Sequence, residues 1–525
     1  MRIRNRVRTI SRADSHSVAK GTIALLLILA MTKLVLHFVT NIWGGYGYFR
    51  DELYYIACSE HLDIGYVDHP PFSIWMLAAS RWLLGDSLFA LRLLPALAGA
   101  GTVFFTGWMA RELGGGRFSL VIASLASIVS LINLAMGTFF SMNSFDILLW
   151  TLSAYILIRL IKTGAPRYWP LLGLALGVGL LNKTGVLWLG VGIFAGLLLT
   201  LQRAWLKTKW PWITAAIAGG LFLPYILWNI THDFAHLEFI RNTSGGKYSS
   251  LSYVTFITGQ VLVQNPITLP IWVAGVVFYF FGKEGKTFRL LGVTYLSAFL
   301  ILVLNQHSKA EYLSPAYGFL FAGGGVAIEG FLSKRFLRWL KPVYGFLLIA
   351  GGLLLAPLTL PILPVETYIE YAETLGVAPS TFENKELGKL PQFYADMFGW
   401  EEKAAAVANV FNTLSTEEQS RCAIFADNYG RCAAIDFFGK WHNLPRSVGR
   451  HNNYWIWGPG EYTGDLVLVL GGNLEDKRDI FERVEVVAKV NCAYCMPYEN
   501  NLVVYLCRNL KIPIQELWPR LKHYD

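Results

Sequence analysis

Long apolar segments alternate with short polar loops from residue 18 to residue 364. Eleven such segments stand out, at residues 18–40, 88–112, 117–135, 139–161, 168–182, 184–201, 210–229, 255–281, 288–305, 312–332 and 342–363. A helix needs about 20 apolar residues to cross the hydrocarbon layer of a membrane. The pattern therefore predicts an all-α, polytopic membrane domain over residues 1–363 with about eleven spans. Because segment 168–182 is short, nine or thirteen spans remain open.

Composition supports this interpretation. Of the 525 residues, 54% are hydrophobic and 15% are charged, whereas about 25% of the residues of a typical soluble domain are charged. These values exclude a disordered chain, a coiled coil and an ordinary soluble enzyme. The net charge of +9 comes from basic residues in short loops between apolar segments, which is typical of a protein at an anionic membrane surface and not of a nucleic-acid-binding protein.

The loop charges predict an orientation, since basic residues concentrate on the cytoplasmic side of membrane proteins. With a cytoplasmic N-terminus, the inner side carries twenty Lys and Arg residues, beginning with Arg2, Arg4, Arg6, Arg8 and Arg12. The outer loops before residue 364 carry six, namely Arg50, Arg81, Lys183, Arg241, Lys247 and Lys309. An odd number of spans then places residues 364–525 outside the cytoplasm.

Residues 364–525 have a different composition, with acids, amides and aromatic residues mixed with short β-type runs. The clearest runs are Asp465–Leu470 and Leu502–Cys507, and helical patterning precedes them near residues 400–420. A segment of about 160 residues is long enough to bury its own core. We therefore expect a second, soluble α/β domain on the outer face.

Five of the six cysteines lie in this second domain: Cys422, Cys432, Cys492, Cys495 and Cys507. Disulfides persist outside the cytoplasm, but an odd number leaves at least one thiol free, and sequence does not give the pairing. Cys492-Ala-Tyr-Cys495 fits a redox motif or half of a zinc site. No second pair has ligand spacing, so no metal site is predicted and no metal or other cofactor is expected to be required.

The loop at residues 41–87 is long for a connection between membrane helices, and loops of this length usually have a function or their own structure. Residues 51–61 have the spacing of an amphipathic helix that lies on the membrane surface. Its side chains expected to face lipid are Leu53, Ile56 and Ala57. The segment from Ser73 to Leu84 predicts a second surface helix, and the two helices bring two polar clusters towards one interface.

These clusters are the candidate catalytic and binding residues. Asp51 and Glu52 follow the first span, and Asp68 and His69 follow the first surface helix. Further polar residues predicted at the same outer level are Asp146, Lys183, Arg241, His307, Lys309 and Tyr312. Ionisable groups near membrane spans are costly and tend to face a cavity or a partner. Cations beside carboxylates at a bilayer surface would suit a transfer reaction. The cations would bind a lipid-linked phosphate as it leaves, and a carboxylate opposite it would act as the base. A solvated helix start for Asp51 and Glu52, and a structural ion pair for Asp146 and Lys183, remain the alternatives.

Several motifs of the chain resemble glycosyltransferase family 39, in the bacterial branch that is similar to dolichyl-phosphate-mannose–protein mannosyltransferases and related to the lipid A aminoarabinose transferase. The motifs are Arg50-Asp-Glu-Leu-Tyr-Tyr55, Asp68-His-Pro-Pro71, Ser141-Met-Asn-Ser-Phe-Asp146, Leu181-Asn-Lys183, Lys309-Ala-Glu-Tyr312 and Tyr454-Trp-Ile-Trp-Gly-Pro459. The resemblance implies a GT-C fold in the bacterial inner membrane. It also implies transfer of a sugar from a polyprenyl-phosphate donor to a periplasmic glycan, lipid or protein acceptor.

The resemblance also implies roles for individual residues. Asp51 corresponds to the family's catalytic acidic residue, Glu52 is its neighbour, and Asp146 corresponds to a second acidic residue. Lys183 and Lys309 are expected to face the donor phosphate. From their predicted place at the outer level, and not from the resemblance, Arg241, His307 and Tyr312 are expected to be further substrate contacts. The aminoarabinose transferase has a basic residue where this chain has Asp68 and His69, so the phosphate contacts of this loop stay open.

Charge suggests a mechanism for such a transfer. Lys or Arg side chains can stabilise a departing polyprenyl phosphate without a metal, and Asp51 is the candidate base for the acceptor hydroxyl. A single displacement inverts the anomeric carbon.

Two other classes of protein remain open. A flippase or transporter for polyprenyl-linked sugars would share the spans and the charges, but the half-repeats frequent in transporters are not evident. A non-catalytic assembly factor is the third interpretation. In the second domain, Tyr454, Trp455 and Trp457 fit either a sugar-stacking surface or a core cluster.

Overall fold

The computed structural model describes residues 12–248, 250–381 and 383–525. The predicted cytoplasmic residues Arg2, Arg4, Arg6 and Arg8 lie outside this part of the chain.

Apolar helices and short connections make up the first part of the chain, as the hydrophobic pattern predicts. The α-helices are α1 (Arg12–Trp43), α2 (Arg50–Ser59), α3 (Phe72–Leu84), α4 (Leu88–Glu112), α5 (Arg117–Val129), α6 (Leu131–Met136), α7 (Met142–Thr163), α8 (Tyr168–Asn182), α9 (Val186–Leu199), α10 (Trp210–Thr231), α11 (Ala235–Asn242), α12 (Tyr253–Val263), α13 (Leu269–Phe281), α14 (Arg289–Leu304), α15 (Tyr317–Leu332) and α16 (Leu340–Leu355).

Seven helices in the described residues are long and apolar enough to cross a membrane, and nine if each of two bent helix pairs counts as one span. The chain is therefore a multi-pass membrane protein. All eleven predicted segments contain helix, but not all of them are straight spans. Helices α5 and α8 have 13 and 15 residues, and Ser130 separates α5 from α6. Which side of the membrane each end faces stays a prediction.

Two predicted spans are bent, and local chemistry explains one of the two breaks. The segment 255–281 turns by 90° between α12 and α13, where Asn265 has a φ of +72° and precedes Pro266. A proline disfavours helical backbone in the residue before it. The Asn265 side chain donates to the carbonyl of Val129 (3.0 Å) and accepts from the N–H of Ile267 (3.2 Å), so it satisfies backbone groups that the break exposes. The segment 184–201 ends with α9, and the 3₁₀ helix Leu201–Lys207 leaves it at 103°.

The second part of the chain is a mixed α/β structure, as predicted. Its elements are α17 (Val365–Thr374), α18 (Gln392–Ala395), α19 (Trp400–Phe411), α20 (Thr416–Arg421), β1 (Ala423–Ala426), α21 (Tyr429–Phe438), β2 (Ser447–Gly449), α22 (Asn453–Trp457), β3 (Leu466–Leu470), α23 (Leu474–Ile480), β4 (Phe481–Val490), β5 (Leu502–Leu510) and α24 (Ile514–Leu517).

The five strands form one sheet in the order β2-β1-β3-β5-β4. Strand β1 is parallel to both of its neighbours, and β3, β5 and β4 are antiparallel. Ile424 pairs with Leu468 in the parallel half, and Leu468 pairs with Leu506 in the antiparallel half. These three side chains share one core with residues of α19, α21 and α2.

The inclusion of α2 in this core corrects one prediction. The three side chains expected to face lipid are buried, with exposed fractions of 0% for Leu53, 2% for Ile56 and 3% for Ala57. Helix α2 lies between the membrane helices and α21, so its apolar face packs on protein. In contrast, α3 leaves 85% of Trp82 exposed, and its place at a membrane surface stays a prediction.

Aromatic residues of α22 pack within the protein. Tyr454 is buried and donates to Asp436 (2.7 Å). Trp457 stacks on His61 with ring centroids 4.1 Å apart, and Trp455 packs against Tyr524. The core interpretation of these rings is therefore favoured over a sugar-stacking surface.

Candidate active site

Asp51 lies in the first turn of α2, where the helix meets the second domain. Its side chain is 35% exposed. The carboxylate oxygen Oδ1 accepts from the Tyr429 hydroxyl (2.9 Å) and from Nε of Arg50 (3.3 Å). No contact to Oδ2 is found among the described residues, so this oxygen is available to a substrate. Asp51 is thus held on one side and accessible on the other, as a general base must be.

Glu52 has a different environment, and it corrects the prediction of a catalytic role. Its carboxylate is buried and receives two bonds from Arg92, at 2.8 and 3.0 Å. The backbone N–H of Phe140 (2.7 Å) and that of Phe49 (2.9 Å) also donate to it. Both oxygens are therefore occupied by protein groups. Glu52 therefore has a structural role, in which its hydrogen bonds link α2 to α4 and to the start of α7.

Asp68 and His69 lie behind the tyrosines of α2. Asp68 accepts from the hydroxyl of Tyr54 (3.0 Å) and is partly exposed. His69 is buried and stacks on Tyr55 with ring centroids 4.7 Å apart. Asp68 thus lies beside Tyr54 with part of its side chain exposed, whereas His69 packs against Tyr55. A substrate contact of Asp68 stays a prediction.

Asp146 and Lys183 form the part of the site contributed by the membrane helices. The Lys183 ammonium is 3.7 Å from the Asp146 carboxylate and donates to Oδ1 of Asn143 (2.7 Å). It also lies 5.1 Å from the ring centre of Tyr312. A hollow of about 20 Å³ between these groups has room for one water molecule. Asp146 and Lys183 thus form an ion pair, and a contact of either residue with a substrate stays a prediction.

A cluster of basic groups surrounds Glu383 on the adjoining wall. Arg50 contacts its carboxylate at 3.3 Å. Burial alone would raise the pKa of Glu383, but the positive charges of Arg50, Lys247 and Lys309 lower it to about 2. Lys309 lies 4.4 Å from the ring centre of Tyr248. Three cations from separate segments thus face one anionic position.

Tyr55 and Tyr312 connect these parts. Tyr55 on α2 is hydrogen-bonded to the backbone of Met142 at the start of α7, and burial followed by the charges of Asp68 and Asp51 raises its pKa. Tyr312 lies beside both Lys183 and Lys309. Acids and cations from distant parts of the sequence therefore surround a common region at one end of the bundle.

Two predicted substrate contacts lie elsewhere. Arg241 and His307 are exposed, and in the described part of the chain neither side chain has a hydrogen bond or ion pair with the site. Arg241 lies in the last turn of α11, on its exposed side, and His307 lies in the turn after α14. Position along the sequence does not determine which way either side chain points. The predicted involvement of these two residues is not supported.

Sequence reasoning did not identify several groups that belong to the site. Tyr429 holds Asp51, Glu383 and Lys247 belong to the basic cluster, and Asp396 lies 3.5 Å from Arg50. Three of these four residues follow residue 380. Nothing in their local sequence marks them, because their role depends on how the second domain packs on α2.

One group of side chains has the geometry of a possible metal site. The ligand atoms of His451, His523 and Asp525 lie within 4.8 Å of one another, and it is the one such group of three among the described residues. Asp525 is 2.7 Å from His451 and 3.9 Å from Lys247. Burial alone would raise the pKa of Asp525, but hydrogen bonds from the two histidines and nearby positive charge lower it well below its usual range.

The family resemblance is confirmed by comparison with known proteins. A family model described as dolichyl-phosphate-mannose-protein mannosyltransferase matches residues 68–228. This range covers Asp68, Asp146 and Lys183. It begins after Asp51 and Arg50, and it ends before Lys247, Lys309 and the second domain.

Two curated relatives are similar over part of the chain. The undecaprenyl phosphate-alpha-4-amino-4-deoxy-L-arabinose arabinosyl transferase of Yersinia pestis is 30% identical over 211 residues, which are 37% of this chain and 37% of that protein. The lipid A galacturonosyltransferase RgtD of Rhizobium johnstonii is 25% identical over 288 residues, which are 54% of this chain and 60% of that protein. The chain thus matches little more than a third of the length of the Yersinia protein.

Structural similarity extends over almost the whole chain. The crystal structure of ArnT from Cupriavidus metallidurans in the apo state matches with a TM-score of 0.61 and 12% identity, and covers 93% of this chain and 98% of that one. The structure of the same protein bound to undecaprenyl phosphate gives a TM-score of 0.60 with the same coverage. The two chains therefore share the predicted GT-C fold, with the second domain included.

Proposed function

We propose that this chain, as a relative of the dolichyl-phosphate-mannose-protein mannosyltransferases, is an integral-membrane glycosyltransferase. It moves a monosaccharide from a polyprenyl-phosphate donor to a glycan, lipid or protein acceptor at the outer face of the bacterial inner membrane. The observation that carries the proposal is the meeting of Asp51, with one accessible oxygen, and cations from distant segments at one end of the bundle. The names of the similar proteins, which refer to undecaprenyl phosphate and lipid A, support it.

Asp51 is the proposed base. The acceptor hydroxyl oxygen attacks the anomeric carbon of the donor sugar, and its proton passes to Oδ2 of Asp51. The bond between the anomeric carbon and the phosphate oxygen breaks as the new bond forms, and the electron pair leaves with the polyprenyl phosphate. Because attack and departure are on opposite faces, the configuration at this carbon inverts.

The basic groups are the proposed phosphate site. The leaving phosphate gains negative charge in the transition state, and fixed cations at that position stabilise it. Lys183 and Lys309 are on the membrane side of the site, and Arg50 and Lys247 are on the side of the second domain. This set supplies the stabilisation without a metal, so we propose that transfer is metal-independent.

We propose that the second domain contributes to acceptor binding. Its Tyr429 hydroxyl donates to Asp51, and its Glu383 lies among the cations of the basic cluster.

The test is transfer by the purified full-length chain in detergent. A panel of polyprenyl-phosphate sugars and an envelope lipid and glycan extract are supplied, and products are identified by mass spectrometry, with and without EDTA. We expect a glycosylated product of inverted configuration from at least one donor, at the same rate with EDTA.

A flippase would give a different result. In liposomes it would move the labelled donor between leaflets without forming a product. Transport without transfer for every donor would contradict the proposal, and a rate abolished by EDTA and restored by a divalent ion would contradict metal independence. The lipid profile of a deletion strain then identifies the sugar that the enzyme transfers.

A further inference from the structure

A pair of cysteines lies in the loop between β4 and β5, outside the sugar-transfer site. The backbone N–H of Cys495 donates to the sulfur of Cys492 (3.2 Å), and the Cys495 thiol donates to the carbonyl of Cys492 (3.3 Å). Cys492 is partly exposed and Cys495 is buried. The two side chains are thus held against each other, with one sulfur accessible from outside.

A buried cation accompanies the accessible sulfur. The Lys403 side chain is fully buried, and its ammonium group lies 3.5 Å from Glu499. A Cβ atom added to Gly399, whose φ is +83°, would lie 2.6 Å from the sulfur of Cys492 and 3.1 Å from the nitrogen of Lys403. Only glycine therefore fits where the start of α19 approaches both groups. The thiol of Cys495 and the charge of Lys403 outweigh burial and lower the pKa of Cys492 to about 6.

The other cysteines lack this environment. All four are buried: Cys58, Cys422, Cys432 and Cys507. Burial raises the pKa of Cys422 to about 11 and that of Cys507 to about 12. Since the thiolate is the reactive form, the first attack on an external disulfide should come from Cys492 alone among the six cysteines.

We propose that Cys492 and Cys495 form a thiol–disulfide exchange site, in which Cys492 is the attacking thiol and Cys495 the resolving one. The thiolate of Cys492 attacks a small-molecule disulfide such as oxidised glutathione, forms a mixed disulfide and releases one glutathione thiolate. Cys495 then loses its proton and attacks the Cys492 sulfur, so that the intramolecular disulfide forms and the second glutathione leaves. The two cysteines lose two electrons, and the glutathione disulfide gains them.

A zinc site does not fit this pair. The only group of three metal-ligating side chains among the described residues, His451, His523 and Asp525, contains neither cysteine. Of the two interpretations of the motif that the sequence allows, the geometry thus supports the redox one.

The loop that carries the pair also contacts the sugar-transfer site. Three residues after Cys495, the Tyr498 hydroxyl accepts from Arg50 (3.0 Å), and Arg50 in turn contacts Asp51. The next residue, Glu499, binds Arg431 at 3.0 Å. A disulfide between Cys492 and Cys495 would therefore constrain the start of the segment in which Tyr498 contacts Arg50. The exchange chemistry does not depend on the proposed transferase activity.

The first experiment incubates the full-length protein in detergent with glutathione buffers of increasing oxidised fraction. Peptide mass spectrometry then follows residues 492–495. We expect a peptide lighter by two hydrogens in the wild type, and a stable glutathione adduct on Cys492 in Cys495→Ser. Cys492→Ser should form neither species, and the matched control Cys422→Ser should behave as the wild type. Equal modification of all cysteines, or none at any ratio, would overturn the proposal.

The second experiment starts from the wild type, so its main result does not depend on the folding of a variant. The rate of iodoacetamide alkylation of Cys492 in the wild type is measured against pH. We expect half-maximal reactivity near the pKa of about 6, a higher midpoint in Lys403→Met, and a midpoint close to wild type in Lys403→Arg. A wild-type midpoint near that of an ordinary thiol, about 8.5, would overturn the proposed role of Cys492.

Discussion

Asp51 and Glu52 are adjacent on α2, and each contacts a guanidinium group. The surroundings of the two carboxylates nevertheless differ in burial and in the number of hydrogen-bond donors. Successive residues of a helix point about 100° apart, so Glu52 points towards α4 and the start of α7 while Asp51 points towards the second domain. Glu52 is saturated by protein donors in a buried site. Asp51 keeps one oxygen accessible.

This difference in surroundings predicts a structural role for Glu52 and a chemical role for Asp51. A buried carboxylate that already accepts four hydrogen bonds has no capacity left for a substrate proton, and its loss leaves an uncompensated charge on Arg92. A carboxylate that is held at one oxygen and exposed at the other can take a proton at little structural cost. The two residues should therefore fail in different assays, and each prediction below tests this distinction.

The largest expected effect is on turnover when Asp51 is replaced. Asp51→Asn keeps the size of the side chain but cannot accept the proton, so we expect turnover to fall by about 10²–10⁴-fold with an unchanged melting temperature. Initial rates of sugar transfer and thermal unfolding in detergent measure the two quantities. The exposed Glu402→Gln on α19 is the control, and a turnover of Asp51→Asn close to wild type would refute its role as the base.

Glu52→Gln should act mainly on stability. Breaking a buried pair by neutralising one partner typically costs about 3–5 kcal/mol, so we expect a large fall in melting temperature and in the yield of folded protein. Glu112→Gln is the matched control, because its partners Arg159 and Lys162 are more exposed and such pairs contribute about 0–1 kcal/mol. A Glu52→Gln protein that melts like wild type but does not transfer sugar would assign the chemistry to Glu52 instead.

Lys183→Met tests the phosphate side of the site. Loss of one charged contact to the donor should cost about 1.5–3 kcal/mol, which is a 10–100-fold fall in kcat/KM, and KM for the donor should rise. Lys183→Arg should retain part of the affinity. The control is Lys162→Met, which removes a lysine whose partner is Glu112, and an unchanged KM in Lys183→Met would remove Lys183 from the phosphate site.

Tyr429→Phe should give the smallest change. It removes one hydrogen bond from Asp51, worth about 0.5–1.5 kcal/mol, and we expect a 2–10-fold lower turnover with little change in KM. Tyr505→Phe, which removes a hydroxyl contact to Gly472 within the second domain, should leave transfer unchanged. Equal effects of both variants would show that the second domain acts through stability alone.

The sequence predicted the helices and the polar residues of the membrane part because both depend on local patterns. Apolar stretches defined the spans, and the motif that starts at Arg50 identified Asp51. The same patterns could not separate Asp51 from Glu52, since neighbouring acids on one turn look alike until their partners are known. The pattern also wrongly predicted that Leu53 faces lipid, because an apolar helix face does not reveal whether lipid or protein covers it.

The second-domain side of the site was beyond sequence reasoning. Tyr429 and Glu383 reach the site only through the packing of the second domain on α2. Lys247 was visible as an outer cation, but its position beside Glu383 depends on the same packing. The Asp146–Lys183 pair, in contrast, could be anticipated, since isolated charges in membrane segments tend to find each other.

The bend at Asn265 has a consequence for the geometry of the donor site. The Asn265 side chain accepts from the N–H of Ile267 and donates to the carbonyl of Val129, so hydrogen bonds within the protein support the angle between α12 and α13. Gln260 on α12 donates to the carbonyl of Ala310, next to Lys309. The position of Lys309, a proposed phosphate contact, therefore depends through Gln260 on an asparagine more than forty residues earlier in the chain. We expect the thickness of the membrane to have little influence on this position.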